Sequence, residues 1–207
     1  MQDYKNSSTN RLVLRERILN TAMSSFAQHG IKAVKMDDIA QQLGISKRTL
    51  YEIYNNKELL LYEGVKNYKR QKDEMIARIM QVSPNVMDVI LKLYQIKIEE
   101  FKNSNHLFYR ELEKYPKVKA FFEEDREAYN QQFIKFLLRG VEEGYFCKSL
   151  DFELIAKLFS ALSHFAWSTQ LYEEYSMEHI LHNLIFVTLR GICTQKGIEI
   201  LDEFMSK

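Results

Sequence analysis

Glycine and proline are scarce in this chain of 207 residues: seven and two, about 3% and 1% where globular proteins carry roughly 7% and 5%. Turn-rich and collagen-like architectures are thereby excluded. An excess of charge of one sign is missing too, since 29 Lys and Arg stand against 28 Asp and Glu for a net charge of +1. With 46% apolar residues, that balance excludes a disordered chain, which would be poorer in apolar residues and more lopsided in charge. On its face the neutrality also speaks against nucleic acid as a partner. The two cysteines, Cys147 and Cys193, have no neighbour that makes a CxxC and no His at metal-ligand spacing, and read as reduced thiols of a cytosolic protein. The opening residues MQDYKNSSTNR lack the apolar stretch of a secretion signal, and no run approaches the roughly 18 consecutive apolar residues that would span a bilayer. A cytoplasmic protein is expected.

What is present is helical periodicity from end to end. Leu14, Ile18, Leu19, Ala22, Met23, Phe26 and Ala27 recur at steps of three and four, which places them on one stripe of a helix. Gly30 supplies the left-handed stop. Ile39, Ala40 and Leu43 form a shorter set closed by Gly44, after which Ser46 stands where an N-cap opens a helix carrying Leu50 and Tyr54 inward. From Lys57 a longer pattern runs to Val82, and Ser83-Pro84 reads as N-cap and first residue of the next helix. Pro116 breaks the pattern again. A long helix is placed at about 117–143, with Gly140 a weak point in its last turn and Gly144 its close. Asp151 and Ser176 then cap two further helices. No alternation of apolar and polar residues is long enough for a sheet. The expected fold is all-α with about nine helices: an N-terminal three-helix head at 1–60 and a larger helical part at 61–207.

The segment KMDDIAQQLGISKRTLYEIYNNKELL carries the clearest signal. Two short helices joined by a tight turn are the logic of a helix-turn-helix: Ile39, Ala40 and Leu43 pack the first, Gly44 allows the turn, and Leu50 and Tyr54 anchor the second against the long first helix. The second helix leaves Ser46, Lys47, Arg48, Thr49 and Tyr51 outside. Cations and hydroxyls on the exposed first turn of a short helix suit the major groove.

Here the sequence resembles the TetR family of bacterial transcriptional regulators, on RERILNTAMSSFAQHG, DDIAQQLGIS and KRTLYEIYNNKELL. The likeness is close over about 11–64 and extends beyond only in helix count and length. The resemblance implies that Lys47, Arg48 and Thr49 touch base edges, and that Tyr51 and Lys57 touch phosphates; Arg48 is the candidate reader of a guanine. Two positions depart from the family pattern. Lys35 stands where a Thr often caps the first short helix near a phosphate, and Ile53 replaces an aromatic or His that often touches the backbone. Lys35 can still meet a phosphate as a point charge but cannot cap through an oxygen.

The larger part holds 22 of the 26 aromatic residues. Such density needs a large core, and a pocket for a small apolar or aromatic effector would draw its walls from Tyr94, Phe101, Phe108, Tyr109, Phe133, Phe136, His164 and Trp167. The stretch HILHNLIFVTLRGI is apolar over more than one face and must be buried on several sides. Leu158, Phe159, Leu162, Phe165 and Ala166, among small residues, mark the helix before it. Pairing these two helices with their symmetry mates would make the four-helix dimer interface that the resemblance implies. Two reading heads in a two-fold dimer call for a palindromic operator.

An enzyme is the rival from another class. No HExxH, GxSxG or GxxxxGK[ST] occurs, and none of the five His follows a Glu at ExxH spacing. His179 and His182, with Glu178, lie too close on one helix to converge on a metal. No catalysis, cofactor or metal is expected. The expectation is a ligand-responsive DNA-binding regulator, by the family's usual mode a repressor; the alternative is a helical ligand-binding or interaction module whose DNA binding is weak or lost. Resolved by position, the charge no longer opposes this: residues 1–60 carry +3 and residues 61–207 carry −2.

Overall fold

In the computed structural model, residues 2–124 and 126–206 are described, with side chains from Asn10 onward except those of Trp167 and Met177. Among them the elements are α1 (Gln2–His29), α2 (Met36–Leu43), α3 (Lys47–Ile53), α4 (Lys57–Val82), α5 (Val86–Lys102), α6 (His106–Leu112), α7 (Pro116–Glu124), α8 (Arg126–Glu142), α9 (Phe152–Ser168), a 3-10 turn (Leu171–Glu173), α10 (Met177–Ile192) and α11 (Gln195–Met205). The only pairing of extended backbone among the described residues is an antiparallel bridge between Phe146 and Cys193. The fold is all-α, with eleven α-helices rather than about nine. The difference lies in the middle and at the end: the stretch after Val82 is two helices, α5 and α6, 117–143 is covered by α7 and α8, and α11 follows the last expected helix.

Most caps are local and follow the expected positions. Ser46 Oγ accepts from the Thr49 N–H at 3.0 Å, Asp151 Oδ1 from the Leu154 N–H at 3.0 Å and Ser176 Oγ from the His179 N–H at 3.2 Å. Gly30, Gly44 and Gly144 all take positive φ, the conformation that costs a residue with a Cβ about 1 kcal/mol or more. One cap is corrected. Asn85, and not Ser83, opens α5: its Oδ1 accepts from the Asp88 N–H at 3.0 Å and its carbonyl from the Val89 N–H. Ser83 instead ends α4, donating its N–H to Ile79.

Two compact units divide the chain, one of 1–74 with 103–121 and the other of 75–102 with 122–207. In the first, Ile18, Ala22 and Phe26 of α1 are fully buried with Ile39 of α2, Leu50 and Tyr54 around α3, and Leu60 and Leu61 of α4. Phe108 of α6 and Val118 of α7 belong to the same core. The second unit packs Val86 and Met87 of α5, Leu137 of α8, Phe146, Leu189 and Ile192 of α10, and Leu201 of α11. Gly140 has a packing role there: a Cβ on it would overlap Cδ2 of Phe146, whose ring is 2% exposed. No helix among the described residues is long and apolar enough to cross a membrane.

Candidate nucleic-acid interface

The second short helix is held from below and free above. Leu50 is wholly buried, and the Tyr54 ring beneath the C-terminal end of α3 is equally so. Gly44, at φ 65, donates its N–H to Gln41, and Ile45 donates to Ala40, so the turn closes α2 without a side chain. Ser25, buried on α1, donates through Oγ to Gln42 Oε1 at 2.9 Å and ties α2 to α1. This frame leaves Ser46, Lys47, Arg48 and Tyr51 exposed and Thr49 half-buried on α3, so the expected base-reading residues share one open surface.

Both cations expected to read bases have acidic partners. Lys47 Nζ meets Asp37 Oδ2 of α2 at 2.5 Å, and Arg48 Nε donates to Glu52 Oε1, one turn on, at 2.8 Å. These carboxylates hold the Lys47 ammonium and the Arg48 guanidinium above their ordinary pKa, in each case chiefly through the hydrogen bond. Both groups are surface-exposed, so the pairs are weak in free energy and matter for where the cations point.

Lys57 behaves differently from a simple surface cation. Its Nζ donates to the carbonyls of Ile31 and Val34 at 2.7 and 2.9 Å, and burial pushes its pKa down, against the pull of Glu111 and Asp38. The loop 30–35 is thus held from α4. It is also held from α6, where Glu111 Oε2 accepts from the Lys32 N–H at 2.7 Å, while Asn105 donates from its backbone to Ala27 and from Nδ2 to Gln28. Lys35 is exposed and makes no capping bond through its side chain; its N–H goes to Asp38 Oδ2 at 2.8 Å. Ile53 is half-buried against the core, where an aliphatic side chain fits.

The candidate effector residues divide between the two units. Phe108 and Tyr109, ring centroids 5.2 Å apart, belong to the core of the first unit. Tyr94, Phe133 and Phe136 pack in the second. Phe101 is buried at the end of α5, with the Lys97 ammonium 4.5 Å from its ring, His164 is exposed on α9, and the side chain of Trp167 lies outside the described residues. Tyr94 instead meets His182, Phe186 and Phe204 edge-on. A cavity of about 200 Å³ beside this cluster is lined by His182, Asn183, Phe186, Val187, Arg190, Leu201 and Met205. None of the seven candidates whose side chains are described lines it. Reading the sequence also missed Asp37, Glu52 and Glu111. Only Glu52 left a local trace, its four-residue spacing from Arg48.

Two short helices joined by a tight turn, with the cations of α3 on its open face, have the geometry of a helix-turn-helix. Residues 18–63 match the family model described as bacterial regulatory proteins, tetR family. The chain is 23% identical over 193 residues to the HTH-type transcriptional repressor KstR2 of Mycolicibacterium smegmatis, covering 88% of this chain and 92% of that one. It is 22% identical over 135 residues to the HTH-type transcriptional regulator YezE of Bacillus subtilis, covering 61% and 70%. In fold it is similar to a transcriptional regulator from Saccharomonospora viridis solved in complex with choline, at a TM-score of 0.69 and 19% identity over 88% of this chain and 98% of that one. Residues 18–63 thus form a DNA-binding-type domain of the tetR family of bacterial regulatory proteins.

Proposed function

We propose that this chain is a cytoplasmic repressor that binds a palindromic operator as a homodimer and is released by a small apolar or aromatic effector. The observation that carries the reading is the surface of α3, where Ser46, Lys47, Arg48 and Tyr51 are exposed over a fully buried Leu50. In this reading Lys47, Arg48 and Thr49 meet base edges, while Tyr51, Lys57 and Lys35 meet phosphates and fix register. The repressor names of the KstR2 relatives support the direction of control.

Dimerisation rests on α9 and α10. Leu154, Leu158, Leu162 and Phe165 recur on one face of α9 at 53, 48, 37 and 54% exposure, and Val187 of α10 is 70% exposed. A contiguous apolar face of this kind marks an interaction surface, and a second copy of the chain provides a matching one. Two heads then address inverted half-sites about one helical turn, roughly 34–36 Å, apart. An effector that binds the two spacings of the heads unequally shifts the protein off its operator, with a coupling of about 1–3 kcal/mol typical of such switches.

The test is a salt titration of binding to a pool of random-sequence duplexes, alongside sizing of the free protein. Binding should weaken with a log–log slope of about −0.9 per neutralised phosphate, and the protein should run at twice 24.6 kDa. Absence of salt-sensitive binding to any duplex would favour the module without DNA binding, and a monomer would remove the two-headed mechanism.

A further inference from the structure

We propose that Glu52 is a specificity-determining residue that positions the Arg48 fork for guanine; this rests on the DNA-binding reading above. The Arg48 side chain is 88% exposed and that of Glu52 58%, so neither is held by the core, and their pairing is the only described contact that sets the direction of the guanidinium. It is made through Nε, at 2.8 Å from Glu52 Oε1. The two terminal nitrogens of Arg48 have no partner among the described residues. They form the planar pair of donors that matches O6 and N7 of a guanine in the major groove. A partner on a terminal nitrogen would have consumed one arm of that fork. Held at Nε, the guanidinium keeps both.

The spacing adds direction. Long side chains on a helix lean toward its N-terminus, whereas a carboxylate four residues further on draws Arg48 toward the C-terminal end of α3. Lys47 is drawn the other way, to Asp37 on α2. The two adjacent cations are therefore parted, and only Arg48 presents its donors as a planar fork. Glu52 also brings a negative charge to a surface that faces phosphates, which weakens binding to every sequence alike. Its effect on discrimination and its effect on affinity have opposite signs, and this separates positioning from a general contribution to binding.

The experiment selects bound sequences from a pool of random duplexes with the full-length chain and three single variants, Arg48→Ala, Glu52→Gln and Arg48→Lys, together with the double variant that combines Arg48→Lys with Glu52→Gln. The wild type should enrich one guanine per half-site that Arg48→Ala no longer selects. Glu52→Gln, equal in size and nearly equal in helix propensity, should bind unselected duplexes at least as tightly as wild type while its preference for that guanine falls about five-fold, a part of what a bidentate contact supplies. In the Arg48→Lys background, where no fork exists, Glu52→Gln should cause no further loss. The proposal is overturned if Arg48→Ala leaves every base preference intact or if Glu52→Gln leaves the guanine preference unchanged. It is equally overturned if the effect of Glu52→Gln persists in the Arg48→Lys background, as it would were Glu52 reading a cytosine amino group itself. A wild type with no salt-sensitive duplex binding removes the DNA-binding reading and this one with it, whereas binding with unaltered preferences removes only the role of Glu52.

Discussion

Lys57 Nζ lies 2.7 Å from the carbonyl oxygen of Ile31, and the same ammonium reaches Val34 at 2.9 Å. The first residue of α4 thereby fastens the loop that joins α1 to α2, so a side chain expected to meet phosphate also has work within the fold. The third donor of the ammonium remains for a ligand.

Replacing Lys57 by Ala should therefore have two effects. Hydrogen bonds from a charged donor are worth about 1.5–3 kcal/mol each, net, and losing both should lower stability by about 2 kcal/mol or more in urea unfolding. Binding to all duplexes should weaken about equally. A variant as stable as wild type would show that the two carbonyls are as well served by water.

Tyr54 gives the opposite expectation. Its hydroxyl is buried with no hydrogen-bond partner among the described residues, and the Arg15 guanidinium stands 5.2 Å from the ring centroid. Burial raises the phenol pKa, with Arg15 acting against it. Removing an unsatisfied buried hydroxyl costs nothing in hydrogen bonding. Tyr54→Phe should be neutral or stabilising by up to about 1 kcal/mol, read as an equal or higher Tm. A clear loss of stability would mean that the hydroxyl has a partner.

Gly140 tests close packing. Because a Cβ would overlap the Phe146 ring, Gly140→Ala should cost roughly 1–3 kcal/mol by overpacking, despite the better helix propensity of Ala. Adding Phe146→Leu should recover part of that loss. An unchanged midpoint in Gly140→Ala would contradict the tight seat of the ring.

The two thiols should differ in reactivity. Cys193 is 6% exposed, and burial pushes its pKa up to about 11, with Cys147 adding to the rise and Arg190 opposing it. At pH 8 a thiol reagent should modify Cys147, whose side chain is partly exposed, well before Cys193. A raised folded pKa means that the unfolded chain loses its proton first. Stability tied to the neutral Cys193 thiol is thus complete below about pH 9 and lost as pH rises from 9 toward 11. Cys193→Ala should flatten that part of the stability profile; an unaltered slope would assign it to other groups.

How much of this was legible beforehand depends on the range of each interaction. The helix stripes, the caps at Ser46, Asp151 and Ser176 and the stops at Gly30, Gly44 and Gly144 are set by contacts within a turn or two, and the amino-acid order alone determined them. It determined the helix-turn-helix too, because Ile39, Leu50 and Tyr54 fall at the spacing that buries one face of each short helix and leaves Lys47 and Arg48 outside.

The rest was decided by the tertiary structure. The Lys32 N–H and the Glu111 carboxylate are 79 positions apart, and nothing local announces that α6 returns to the core of the first unit. The same return assigns Phe108 and Tyr109 to the core of the first unit, while Tyr94, Phe133 and Phe136 pack in the core of the second, although these aromatic residues look interchangeable along the chain. Periodicity specifies that a face is apolar. Which surface it meets follows from the path of the whole chain, since hydrophobic burial is non-directional and any apolar partner brought into contact will satisfy it.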